Sequence, residues 1–144
     1  MIKEFKGEYA FLNNFYLCPV EYKGIVYSNN EAAFQAQKTL DEKIKKQFET
    51  LGPIEARNLG RSISLRKDWE VVKDQTMYEI CFAKFTQHPD LMDALVLTGK
   101  RPLEEGNHWN DRYWGTVRGI GQNKLGKILM KIREKEQIKR ESFE

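Results

Sequence analysis

Residues 29–40 read NNEAAFQAQKTL, a stretch that predicts a helix beside a buried core. At about 100° per residue, Glu31, Gln35 and Lys38 fall within roughly 60° of one another on such a helix. A neighbouring arc is apolar and predicted to be buried: Phe34, Leu40, Ile44 and Phe48. The pattern predicts one helix from Glu31 to about Leu51. Its polar row either lines a cleft or is an ordinary solvated edge, and by itself the second reading is the commoner case.

The composition is that of a globular protein. The chain has 144 residues, 40% of them hydrophobic and 12% aromatic, which predicts a single domain with its own core. The net charge of +3 suits an anionic ligand but is low for a dedicated DNA-binding domain. No apolar run approaches the ~20 residues of a membrane span, and the N-terminus lacks the apolar region of a signal peptide. We therefore expect a cytoplasmic protein.

Cysteine and histidine are scarce, with two of each: Cys18, Cys81, His88 and His108. No CxxC or HExxH spacing is present, so we predict neither a metal site nor a cofactor. Cys81 lies in an apolar helical segment and is interpreted as a small buried side chain.

The remaining pattern predicts a mainly helical α+β domain with a short N-terminal hairpin. The hairpin turns at Lys23-Gly24. Further helices are predicted from Pro53 to about Gly60, from Trp69 to about Gln87 after the N-cap Asp68, from Asp90 to Leu97, and from about Asn123 to Lys139. The Trp69 helix is apolar on two sides, which predicts a central position in the core. The charged end, about 135–144, is expected to fray.

Residues 98–122, TGKRPLEEGNHWNDRYWGTVRGIGQ, form a long passage without a periodic pattern. A loop of this length with several aromatic residues is typically functional. Its aromatic residues either pack on the core or form a stacking platform for a flat heterocycle. The glycines before the last helix suggest that backbone N–H groups there bind an anion. Arg61, after Gly60, is a further candidate for phosphate binding. Together these features predict a pocket for a phosphorylated ligand with a planar ring.

Several motifs, in order along the chain, resemble the NADAR family. They are FLNNFY (11–16), NEAAFQAQK (30–38), ARNLGR (56–61), LRKDWEVVK (65–73), AKF (83–85), LTG (97–99), NDRYWG (110–115) and GQNKLGKILMKIR (121–133). The chain departs from the family pattern at Ala32, where a larger residue such as histidine is common, and at Asn13, where serine is usual.

The resemblance implies a compact α+β fold and an N-glycosidase activity. Some family members hydrolyse the N-glycosidic bond of ribosylamino-pyrimidine phosphates, the early intermediates of riboflavin synthesis, and release ribose 5-phosphate. Others remove ADP-ribose from modified guanine in nucleic acid. A third interpretation is a non-catalytic module that binds ADP-ribose or a related nucleotide. The expected partner is a small phosphorylated ribosyl heterocycle, with ADP-ribosylated nucleic acid as the alternative; no membrane partner is expected, and the oligomeric state stays open.

The resemblance also implies roles for individual residues. Glu31 is the first candidate for proton transfer and for stabilising positive charge at the anomeric carbon. Lys38 either binds phosphate or attacks the ring-opened sugar as a Schiff-base amine, and Asp111 is the second catalytic carboxylate. The predicted substrate contacts are Asn14, Tyr16, Gln35, Arg61, Trp69, Trp114, Gly115, Gly121 and Asn123.

Overall fold

The computed structural model describes residues 1–143. They form two compact units: residues 14–87, which we name the central unit, and residues 1–13 with 88–144, which we name the terminal unit. Within the described residues the secondary structure comprises six α-helices, one 3₁₀ helix and one two-stranded antiparallel sheet. The predicted class, mainly helical α+β with a short hairpin near the N-terminus, is confirmed.

The hairpin of the central unit has the predicted form. Strand β1 spans Leu17–Tyr22 and strand β2 spans Ile25–Asn29. The two turn residues, Lys23 and Gly24, have φ angles of 51° and 88°, which is the left-handed conformation that a two-residue hairpin turn requires. Alternate side chains of both strands are buried, so one face of the hairpin belongs to the core.

Four helices follow the hairpin: α1 Asn30–Ala36, α2 Glu42–Lys46, α3 Pro53–Ser62 and α4 Trp69–Gln87. The predicted single helix from Glu31 to Leu51 is wrong, because α1 ends after two turns. The carbonyl of Lys38 accepts a hydrogen bond from the Arg66 amide at 2.7 Å instead of continuing the helix. Asp41 then starts α2 by accepting hydrogen bonds from the amides of Lys43 and Ile44.

Burial also departs from the helical pattern at several positions. Leu40, predicted to face the core, is 64% exposed, since it lies between α1 and α2. Helix α4 has the predicted bounds, and Trp69, Ile80 and Phe85 are buried. Its second apolar side is exposed at Val71 and Phe82, so the prediction of a helix buried on two sides is wrong.

The terminal unit begins with the 3₁₀ helix Gly7–Leu12 and contains helices α5 Pro89–Leu97 and α6 Lys124–Glu141. Helix α6 continues through the segment predicted to fray. The guanidinium of Arg140 donates hydrogen bonds to Glu136 and Asp93, which stabilise the last turns. In the part of the chain that the structure describes, no helix is long and apolar enough to cross a membrane.

Candidate active site

The polar row predicted on residues 29–40 is present in the central unit. Glu31 lies in the first turn of α1, where its carboxylate interacts favourably with the positive end of the helix dipole. The Asn29 side chain caps the helix by accepting a hydrogen bond from the Ala32 amide at 2.8 Å. The Glu31 amide donates to the backbone carbonyl of Asn14 at 3.1 Å. Glu31 is therefore fixed at the point where the hairpin ends and α1 begins.

Gln35 joins this row through a direct contact with Glu31. Its side-chain Nε2 donates to Glu31 Oε1 at 2.8 Å, one helical turn away. The Gln35 side chain is buried, and its Oε1 has no hydrogen-bond partner among residues 1–143. Gln35 thus holds one carboxylate oxygen of Glu31 and fixes the orientation of the carboxyl group.

Lys38 follows α1 and is half-buried. Burial lowers the pKa of its amine, Glu31 opposes that shift, and Arg61 and Lys73 lower the pKa further. These three side chains are therefore near enough to Lys38 for their charges to act on its amine. An amine with a lowered pKa loses its proton at lower pH than an ordinary lysine, which is the property that a nucleophilic amine needs.

Arg61 and Lys73 add positive charge to the same surroundings. Arg61 lies in the last turn of α3 and is exposed. Lys73, on α4, forms an ion pair with Glu70. Lys73 was missed by sequence reasoning, although its position four residues after Trp69 puts both on one face of α4. With Lys38 they bring three cations, against the carboxylates of Glu31 and Glu70, into this part of the central unit. The excess of positive charge favours an anionic ligand.

Asn14 belongs to a buried polar cluster. Its Oδ1 accepts a hydrogen bond from Asn30 Nδ2 at 3.2 Å, and its Nδ2 lies 3.4 Å from the Met77 sulfur. The Cys81 thiol lies 3.8 Å from the same Oδ1. Burial raises the pKa of Cys81 to about 12, so this thiol stays protonated and is no nucleophile at neutral pH. The Asn14 side chain therefore supports the start of α1 from within the core.

Two predicted aromatic contacts have different surroundings in the central unit. Trp69 is 5% exposed, and its ring lies against Phe34 with the ring centres 5.1 Å apart. Most of that ring is therefore committed to packing. Tyr16 is 36% exposed and lies under the amine of Lys84, 5.4 Å from the ring centre. Tyr16 retains an accessible ring surface.

Asp111 lies in the long loop of the terminal unit. Its Oδ1 accepts hydrogen bonds from the amides of Tyr113 and Trp114 at 3.0 and 2.9 Å. Its own amide donates to Asn107 Oδ1 at 3.0 Å. These bonds fix Asp111 within the loop. The predicted catalytic role of Asp111 stays a prediction.

The other predicted contacts of the terminal unit build the same loop. Trp114 packs edge-on against Tyr113, with ring centres 4.8 Å apart. Gly115 is buried, and a β-carbon there would overlap Glu105, so this position of the loop requires a glycine. Asn123 Oδ1 accepts a hydrogen bond from the Glu105 amide at 3.0 Å, and Asn123 Nδ2 donates one to the Leu103 carbonyl at 2.9 Å. Glu105 is a buried carboxylate that sequence reasoning missed.

Part of the predicted anion site at the start of the last helix is used by the loop itself. Four successive amides, those of residues 122–125, donate to the backbone carbonyls of residues 112, 115, 113 and 114 in that order. These four N–H groups are bound within the protein, and anion binding by the glycine-rich segment before the helix stays a prediction. Gly121, with a φ of 150°, allows a close approach to the Gly115 carbonyl that a side chain would prevent.

No group of three or more histidine, cysteine, aspartate or glutamate side chains among residues 1–143 comes together as a metal ion would require.

Known proteins of similar sequence identify the family of the chain. Residues 2–136 match the model of the NADAR domain. The chain belongs to the NADAR family. The N-glycosidase YbiA of Escherichia coli (strain K12) is 40% identical over 131 residues, which cover 88% of this chain and 81% of that protein. A riboflavin biosynthesis protein of Vibrio vulnificus is 35% identical over 130 residues, covering 88% of this chain and 35% of that protein.

Solved structures agree with this membership. The NMR structure of E. coli YbiA matches 97% of this chain and 87% of its own, with a TM-score of 0.85 and 38% sequence identity. The family and fold predicted from the sequence motifs are therefore confirmed. Within this NADAR domain, the substrate contacts assigned to individual residues stay predictions.

Proposed function

We propose that this NADAR-family N-glycosidase hydrolyses the bond between ribose and the amino nitrogen of a phosphorylated ribosylamino-pyrimidine, an intermediate of riboflavin synthesis. The products are ribose 5-phosphate and the free aminopyrimidine. The observation that carries the proposal is the Glu31 carboxylate held by Gln35 at 2.8 Å, with Lys38 in its electrostatic field. The riboflavin-related name of the V. vulnificus relative supports this substrate class.

The reaction needs stabilisation of positive charge at the anomeric carbon and a proton for the departing nitrogen. An ionised Glu31 supplies the negative charge while the C–N bond breaks. Water adds to the anomeric carbon and loses a proton, and the leaving amine gains one, so the overall change is addition of one water molecule. Glu31 and the amine of Lys38 are the groups of the row that exchange protons.

The cations explain the preference for a phosphorylated sugar. The charges of Glu31, Arg61 and Lys73 act on Lys38, and Lys73 pairs with Glu70, so three cations stand against two carboxylates and the local net charge is positive. A 5′-phosphate is attracted to this field, and the guanidinium of Arg61 can bind two of its oxygens. A neutral ribosyl heterocycle lacks this attraction and is expected to be a poorer substrate.

The test is release of the base from defined substrates. The protein is incubated with a ribosylamino-pyrimidine 5′-phosphate, with its dephosphorylated form and with DNA carrying ADP-ribosylated guanine, and the products are separated by chromatography. We expect release from the phosphorylated pyrimidine at the highest kcat/KM. Release only from the modified DNA would contradict the proposal in favour of an ADP-ribosyl glycohydrolase, and binding without release from any substrate would indicate a non-catalytic module.

A further inference from the structure

Gly60 of helix α3 lies against the side chain that holds Glu31. A β-carbon built on Gly60 would overlap Gln35 Oε1 and come within 2.8 Å of Gln35 Cδ and 3.2 Å of Gln35 Cβ. Gly60 is buried and has no positive φ, so its backbone conformation is open to any residue. The reason for glycine here is therefore space and not backbone conformation.

The orientation of the Gln35 amide lowers the stability of the fold. Its Oε1 is buried without a hydrogen-bond partner in the described part of the chain, while its Nε2 donates to Glu31. A buried carbonyl without a donor destabilises a fold, so an unsatisfied group of this kind calls for an explanation. The explanation is the contact with Gly60, which has no side chain. This contact restricts the Gln35 amide to the orientation in which Nε2 reaches Glu31.

We infer that Gly60 is a positioning residue of the active site: the missing side chain lets Gln35 pack against α3, and Gln35 in turn orients the Glu31 carboxylate. The inference rests on the proposed function for its catalytic consequence, but the contact itself is testable without catalysis. The nearest atom to any new side chain is the far end of Gln35. An alanine at position 60 would therefore displace the Gln35 amide and break its bond to Glu31 while leaving the fold intact.

The experiment compares Gly60→Ala, Gln35→Ala and the double variant with the unchanged protein. Gly52→Ala is the matched control, because Gly52 caps the same helix and a β-carbon there would approach only the end of the Glu55 side chain, at 3.2 Å. We expect Gly60→Ala and Gln35→Ala each to lower kcat/KM by about 10- to 100-fold, the scale of a misplaced catalytic group. The double variant should be no worse than either single variant, since both remove one contact.

A second readout follows the Glu31 carboxyl group by carbon NMR as pH is varied. A carboxylate that loses a donated hydrogen bond holds its proton to higher pH. Gly60→Ala and Gln35→Ala should therefore move the Glu31 titration, and the acidic limb of the pH–rate profile, upward by equal amounts. Gly52→Ala should leave both unchanged.

The outcomes separate the inference from the proposed function. An unchanged Glu31 titration in Gly60→Ala, or a double variant whose loss is the product of the single losses, would overturn the positioning role. If no protein in the series releases a base, the proposed function fails, while the titration still decides the role of Gly60. Should Gly60→Ala fail to fold, the double variant must fold, because removing the Gln35 amide opens the space; its failure would also overturn the inference.

Discussion

At the scale of single residues, Glu31 is the most direct test of the mechanism. Glu31→Gln keeps the size of the side chain but removes its negative charge and its ability to transfer a proton. We therefore expect turnover to fall by at least ~100-fold. Glu42→Gln is the matched control, because Glu42 occupies the first turn of α2 as Glu31 does in α1. Steady-state kinetics and the melting temperature are measured together. A Glu31→Gln protein with normal turnover and unchanged melting would remove Glu31 from the mechanism.

Lys38 gives a second residue-scale prediction, which decides between its two roles. Because burial lowers the pKa of Lys38, its amine becomes neutral, and able to attack a carbonyl, at lower pH than an ordinary lysine. We expect kcat to rise as pH passes that pKa, and Lys38→Arg to lose as much turnover as Lys38→Ala, since a guanidinium stays charged. Attachment of the sugar to Lys38 by borohydride treatment during turnover would assign Lys38 the Schiff-base role. Normal kcat in Lys38→Arg with a changed KM would assign Lys38 to phosphate binding.

Residue types indicated the contact between Glu31 and Gln35, but not how each polar group is used. Their i, i+4 spacing puts both on one face of α1 without tertiary information, whereas Lys38 lies beyond the end of that helix. The family resemblance assigned Asn123 to the substrate, and that assignment stays a prediction; in the structure both ends of its amide bind the backbone of residues 103–105. A polar side chain beside a glycine-rich loop can serve either purpose, and only the folded backbone shows which carbonyls and amides need a partner.

At the scale of elements, boundaries marked by glycine, proline or a capping residue were predictable. The hairpin turn at Lys23-Gly24, the start of α3 at Pro53 and the start of α4 after Asp68 all carry such a signal. The break between α1 and α2 carries neither glycine nor proline, and the capping residue Asp41 marks the start of α2 but not the end of α1. It depends on a backbone hydrogen bond from Arg66 to Lys38, 28 residues apart along the chain, and no local pattern reports that bond.

Helix α4 carries a buried amine, which leads to a prediction about how the stability of the protein changes with pH. Lys84 is 1% exposed, and burial lowers its pKa to about 8 from 10.5. Between these values the folded protein has lost a proton that the unfolded chain keeps, so this group makes stability rise with pH. We expect a gain on the order of 1–2 kcal/mol between about pH 8 and about pH 9.5.

Urea unfolding of the original protein and Lys84→Met across this pH range measures the gain. The buried Cys81 thiol acts in the opposite direction above pH 9, since its pKa is raised to about 12. The informative quantity is therefore the difference in unfolding free energy between the two proteins, and Lys46→Met, an exposed lysine of α2, is the control. A difference that does not change with pH would show that Lys84 titrates normally.

At the scale of the whole molecule, charge distribution bears on the choice between a small substrate and nucleic acid. The chain has 24 lysine and arginine residues against 21 aspartate and glutamate residues. Two of the cations on α6 form hydrogen bonds within the terminal unit. Arg133 donates to Thr98 and to the Arg101 carbonyl, and Arg140 binds Glu136 and Asp93. The helix with the most basic sequence therefore offers less free positive charge than its composition suggests.

This distribution leads to a prediction about salt. A protein that neutralises several phosphates of a duplex loses affinity with a slope of about −0.9 per phosphate on a log–log plot against salt. A site whose positive charge comes from Lys38, Arg61 and Lys73, opposed by Glu31, makes only a few phosphate contacts. We expect kcat/KM for the ribosylamino-pyrimidine phosphate to change only a few-fold between about 50 and about 200 mM salt, and duplex binding to be weak throughout. Arg61→Gln should flatten the salt dependence further, whereas Lys139→Gln, an exposed cation of α6, should not. Tight duplex binding that falls steeply over this range would instead favour nucleic acid as the substrate, because only contacts with many phosphates produce such a slope.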